Sequence, residues 1–82
     1  MHEMGIAGSV IDAVRVEVTR RPGARATKVG LRIGEWCGVD VESLRFCLEV
    51  LVKGTELEPL AVDIDFREQA SDLDIAYLEL EE

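Results

Sequence analysis

The sequence predicts a small α+β domain in the order α-β-α-β-β, a three-stranded mixed sheet with two helices packed on one face. Three observations predict it. Two stretches place apolar residues at helical spacing, three others alternate or cluster apolar residues as strands do, and turn residues separate them. Each helix then offers one apolar stripe and each strand one apolar side, which are buried together when helices layer against a sheet. Eighty-two residues make one domain, residues 1–82, whose core is modest because a chain of this size buries only about 60% of its unfolded surface.

The first helix is read from Met4 to about Arg20, where Ala7, Val10, Ile11, Val14 and Val18 fall at i, i+3, i+4, i+7 spacing. Arg20-Arg21-Pro22-Gly23 stops it, with basic residues followed by a turn pair. Val29, Leu31 and Ile33 then alternate with Lys28, Gly30 and Arg32, the period-two pattern of a half-buried strand. Residues 35–40 form a loop ending in Asp40, a helix-capping residue type. In the second helix Leu44, Cys47, Leu48 and Leu51 share a face that Phe46 and Val50 widen, and Lys53-Gly54-Thr55 closes it. Pro59 opens the next strand, where Leu60, Val62, Ile64 and Phe66 face one way and Ala61, Asp63, Asp65 and Arg67 the other. In the last strand, Leu73 to Leu80, the apolar phase switches between Ile75 and Leu78, which a bulge or a partly two-sided strand explains.

Composition removes several functions. A net charge of -8, with nine basic residues scattered among seventeen acidic ones, opposes the counterion displacement that binds nucleic acid. No apolar run approaches the length of about 18 residues needed to span a membrane, and the N-terminus lacks a secretory signal pattern, so a cytoplasmic location is expected. No histidine neighbours Ser9, Ser43, Ser71 or either cysteine, so no nucleophile-base pair suggests itself and no enzyme is expected. Asp63 and Asp65 read as solvated strand positions, and Gly30, Gly34 and Gly38 form no phosphate-binding fingerprint. Cys37 and Cys47 cannot alone supply the four ligands of a structural zinc site, so they read as small apolar filler and no zinc is expected.

The chemistry-bearing feature is Met1-His2-Glu3, which sets the sole histidine beside the terminal amine. Terminal amine, His2 amide nitrogen and imidazole can close fused chelate rings, a nitrogen-rich and near-planar set suited to Ni(II) or Cu(II). A terminal histidine is also, more ordinarily, a solvated surface residue. The short turn after the first helix makes helix and strand antiparallel. Their expected lengths nearly match, at roughly 24 Å for about sixteen helical residues and roughly 26 to 33 Å for a strand of eight to ten. Residues 1–3 are therefore expected beside the 35–40 loop, which brings Glu3, Glu35, Asp40 and Glu42 around His2. These acids offset the positive ends of two helices and can supply an oxygen ligand. Asp40 as a cap and Glu42 as a first-turn acid are equally ordinary without a metal.

Met1-His2-Glu3-Met4, the stretch Val29-Gly30-Leu31-Arg32-Ile33-Gly34-Glu35 with Gly38-Val39, Glu42-Ser43-Leu44-Arg45-Phe46 and Lys53-Gly54-Thr55 together resemble the HypA/HybF nickel-insertion proteins of [NiFe]-hydrogenase maturation. The resemblance covers nearly the whole chain. It implies that His2 is the nickel-binding histidine with nearby backbone amides, that Glu3 is the acidic neighbour supporting the site, and that Asp40 stands where some members place a further ligand. The candidate metal residues are thus Met1, His2, Glu3 and Asp40. It also implies a maturation GTPase and a hydrogenase large subunit as partners. The family carries a zinc domain with two C-x-x-C pairs between its last two strands, where this chain has only Glu68-Gln69-Ala70-Ser71-Asp72. Natural reduction or deliberate deletion would each produce that gap.

Two functions follow. The leading one is a Ni(II) metallochaperone module, expected to be a monomer. The alternative is a protein-interaction domain that keeps the fold without metal delivery, with Trp36 as either a core cover or an interface anchor. The core-cover role is the expected one, since large apolar residues usually pack within their own chain.

Overall fold

A computed structural model describes residues 2–82 and has the order α1 (Glu3–Thr19), β1 (Arg25–Gly34), a 3-10 turn (Glu35–Cys37), α2 (Val41–Val52), β2 (Ala61–Arg67) and β3 (Leu73–Glu81). The sheet order is β2-β1-β3. β1 pairs parallel to β2, with Val29 opposite Val62 and Ile33 opposite Phe66, and antiparallel to β3, with Ile33 opposite Leu73. The α+β class and mixed three-stranded sheet are those the periodicity predicts. The parallel pair has α2 as its crossover, the connection such a pair requires.

The central strand makes the core. Val29, Leu31 and Ile33 of β1 are buried with Ala7, Val10, Ile11 and Val14 of α1 and Leu44, Leu48 and Val52 of α2. Burying a side chain of this size stabilises by about 1.5–3 kcal/mol, so this cluster is the main support of the fold. Each helix end has a local cause. Asp40 caps α2 through its carboxylate, which accepts from the Ser43 amide at 3.0 Å. Gly54, at φ 77, turns the chain after α2 in the left-handed region that glycine enters without strain.

The phase switch in β3 is a bulge. Gly30 pairs with Tyr77 but the next residue, Leu31, pairs with Ile75, so Ala76 is the extra residue and both Ile75 and Leu78 face the helices. On the opposite, solvated face the Tyr77 ring lies directly over Gly30, where a Cβ would collide with it, and its hydroxyl donates to Asp63 Oδ2 at 2.5 Å. Glycine at position 30 thus lets one side chain tie both outer strands across the central one. That contact and the Asp63 charge push the Tyr77 hydroxyl up to about 12.

Four expectations need correction. Phe46 and Val50 do not widen the buried face of α2 but are exposed, Phe46 at 64%. The buried stripe of a twelve-residue helix is already filled by Leu44, Leu48 and Val52 at i, i+4, i+8. Phe66 is also half exposed, because β2 extends beyond its helical cover. Trp36 is 67% exposed and covers no core. The strand expected from Pro59 begins at Ala61.

Candidate metal centre

The antiparallel run of α1 and β1 returns the start of α1 to the loop after β1, as the matched lengths require. Helix and strand have 17 and 10 residues. The contact that proves it is a hydrogen bond from the Asp40 backbone amide to Glu3 Oε2 at 3.0 Å. That bond, its own backbone amide and the nearby terminal amine hold the Glu3 carboxyl below the usual glutamate range. Glu3 is thus ionised across the neutral range and tied to the N-terminus of α2, where a carboxylate is also favoured by the helix dipole.

His2 is the N-cap of α1, exposed, with its carbonyl accepting from the Ile6 amide at 3.1 Å and its side chain making no cap bond. This position matters chemically. The helical ladder recruits N–H groups only from the second turn onward, so the His2 amide nitrogen is not committed to an i→i−4 bond. It can lose its proton to a metal without breaking the helix, and among the described residues the imidazole makes no cap hydrogen bond. Met1, named with His2, Glu3 and Asp40 as a candidate ligand, lies outside the described residues.

Asp40 is placed next to Glu3 but employed otherwise: its Oδ1 caps Ser43 while its amide serves Glu3. Glu35 is turned the other way, its Oε1 accepting from the Gln69 amide at 2.9 Å. Among the described residues, no group of three or more His, Cys, Asp or Glu is arranged to hold a metal ion. Cys37 and Cys47 are free thiols, and Cys37 donates to the Asp72 carbonyl at 2.7 Å.

Sequence reasoning did not anticipate how the 68–72 turn docks. The Gly34 amide donates to the Asp72 carbonyl at 2.6 Å and the Trp36 amide to the Ala70 carbonyl at 2.9 Å. The 3-10 turn is therefore held on one side by the β2–β3 connection, and Asp40 beyond it by Glu3. The only sequence signal for this was Gly34 itself: a Cβ there would overlap the Ala70 carbonyl. No helix among the described residues is long and apolar enough to cross a membrane.

Residues 1–72 match the family model described as hydrogenase/urease nickel incorporation, metallochaperone, hypA. Similar proteins include the hydrogenase maturation factor HypA of Methanopyrus kandleri, 47% identical over 66 residues that cover 79% of this chain and 46% of that protein. That of Azoarcus sp. (strain BH72) is 46% identical over 66 residues, covering 79% and 57%. That of Cupriavidus necator is 38% identical over 65 residues, covering 79% and 55%. The chain spans about half the length of these curated relatives. With a family model matching residues 1–72 and a relative 47% identical over 79% of its length, the chain belongs to the HypA family of hydrogenase/urease nickel-incorporation metallochaperones.

Proposed function

We propose that this domain binds Ni(II) as cargo through Met1-His2-Glu3 and passes it on in [NiFe]-hydrogenase maturation, acting as a metallochaperone and not as an enzyme. The terminal amine, the His2 amide nitrogen and the imidazole are the donors. Glu3 and Asp40 supply negative charge and an oxygen at the same corner. The observation that carries this reading is the anchoring of Glu3 on the Asp40 amide at 3.0 Å, which fixes the residue after His2 against α2 while leaving His2 exposed. A chelate of this kind is held by few residues and open to solvent, properties that suit transfer over storage.

The 82 residues act as one nickel-binding-type domain, with the 68–72 turn in the place of a zinc module and no zinc in the domain. The partners are a maturation GTPase and a hydrogenase large subunit, in the cytoplasm, and the free domain is a monomer. Equilibrium dialysis against Ni(II) tests the reading. The native protein should retain about one ion per chain and His2→Ala none, and retention should fall with acidification because the nitrogen donors must lose protons to bind. Retention unchanged in His2→Ala would refute it. No retention by the native protein would also refute it and would favour the interaction-domain alternative, to which the 67% exposure of Trp36 lends its support.

A further inference from the structure

The two edges of the sheet are not alike. At the β2 edge the Arg45 guanidinium reaches from α2 and donates to the Val62 carbonyl at 2.9 Å, so side-chain cover already occupies that backbone. Among the described residues no side chain donates to the outer edge of β3, the Thr27 hydroxyl reaching the Glu79 carbonyl from the β1 side, and its nine residues run about 30 Å with that edge unpaired. Along the same strand the helical layer stops short. Three depressions of about 310, 230 and 430 Å³ follow one another down the seam between α1 and β3. The first lies between Ile6, Ser9 and Leu73, the second between Ala13, Glu17 and Ile75, and the third, more polar, between Glu17, Arg21 and Leu80. They form one trench floored by the helix-facing side chains of β3. Leu73 at its mouth is 40% exposed.

Charge identifies the occupant. From residue 73 to the end the chain carries Asp74, Glu79, Glu81 and Glu82 and no basic residue. Asp74 and Glu81 are engaged from the β1 side by Arg32 at 2.7 Å and Arg25 at 3.3 Å, and among the described residues Glu79 has no ion pair. A second copy of β3 would set carboxylates against carboxylates on a chain already at -8, an arrangement that opposes pairing.

We propose that the β3 edge accepts an extended partner segment of alternating apolar and basic residues as a fourth strand. The partner's backbone pairs with β3, its apolar side chains enter the trench below the small residues Ser9 and Ala13 of α1, and its Lys or Arg side chains lie beside Glu79 and Asp74. Alternation at two residues matches the spacing of the strand it joins, so the two apolar depressions beside Leu73 and Ile75 receive one apolar side chain each, while the third, lined by Glu17 and Arg21, stays with solvent. The inference stands apart from the nickel reading.

The test uses a synthetic nonapeptide alternating Lys and Val, its Glu-Val counterpart, and amide shifts in the isotope-labelled protein without nickel. Saturable binding of the Lys peptide is expected, with shifts confined to residues 73–81 and to Ser9 and Ala13, and none with the Glu peptide. Ala13→Arg, which fills the trench from an exposed helix position, and Glu79→Lys should each weaken binding roughly tenfold. Either of two further results would overturn the proposal: no shift along β3 at millimolar peptide, or wild-type affinity retained in both variants. So would a peptide that becomes helical on binding, or a wild-type domain that dimerises through β3 by itself.

Discussion

Gly34 should be the costliest glycine in the chain to replace, and the structure gives the size of the effect. Its φ is -82 and ψ 148, a conformation any residue adopts, so Gly34→Ala tests space and not backbone freedom. The added methyl overlaps the Ala70 carbonyl. Relief requires the 68–72 connection to withdraw, which stretches the Gly34–Asp72 and Trp36–Ala70 hydrogen bonds of 2.6 and 2.9 Å. Overpacking costs about 1–3 kcal/mol, and weakening two bonds worth roughly 0.5–1.5 kcal/mol each brings the expected loss to about 2–4 kcal/mol. For a domain of this size that lowers Tm by roughly 10–25 °C. Gly30→Ala is the control. There the obstruction is the Tyr77 ring, a side chain that can swing out with loss of its bond to Asp63, at a cost of about 1 kcal/mol. Thermal and urea unfolding followed by circular dichroism should therefore separate the two variants by at least about 1 kcal/mol. Equal stability of both, or Gly34→Ala within about 0.5 kcal/mol of the parent, would refute the steric argument.

Leu44→Ala, at a fully buried position, should cost about 2–5 kcal/mol in urea unfolding, whereas Phe46→Ala should cost under about 1 kcal/mol because that ring is exposed. Glu3→Gln removes the charge that the Asp40 amide favours. The depressed Glu3 carboxyl contributes stability that is complete above the ordinary glutamate value of about 4.3 and lost as pH falls through the lower folded value, so the stability difference from wild type should vanish at the acid end of a pH series. Tyr77 is the sole tyrosine, so its ultraviolet titration is unambiguous: a midpoint near 12 is expected, moving toward 10 in Asp63→Asn. Because that value is raised in the folded state, its contribution to stability is intact below about 10 and disappears as pH rises to about 12.

Element type and order were legible because each segment carries one clear period. The stripe from Ala7 to Val14 is helical and the alternation from Val29 to Ile33 is extended, and burial follows both. The bulge at Ala76 was legible as a break of phase, since a strand that must keep Ile75 and Leu78 on one face needs an extra residue between them. The meeting of Glu3 with residue 40 followed from element lengths alone. Exposure of Phe46, Phe66 and Trp36 was not legible. Apolar character says which residues can be buried, but whether they are depends on the breadth of the partner layer, and two helices over three strands leave ends and flanks bare. The double role of Asp40, capping with its carboxylate and donating with its amide, needed coordinates, as did the docking of the 68–72 turn, which runs through backbone groups that every residue carries.

The central claim is that nickel is held by a chelate built on the terminal amine, the His2 amide and the imidazole. The most direct test is calorimetric and optical titration of Ni(II) into protein with its native N-terminus beside a variant bearing two extra residues before Met1, which moves the amine and leaves His2 in place. One-to-one binding with a square-planar absorption spectrum in the native protein, absent from the extended one, is the predicted result. Identical binding and spectra in both would contradict the account.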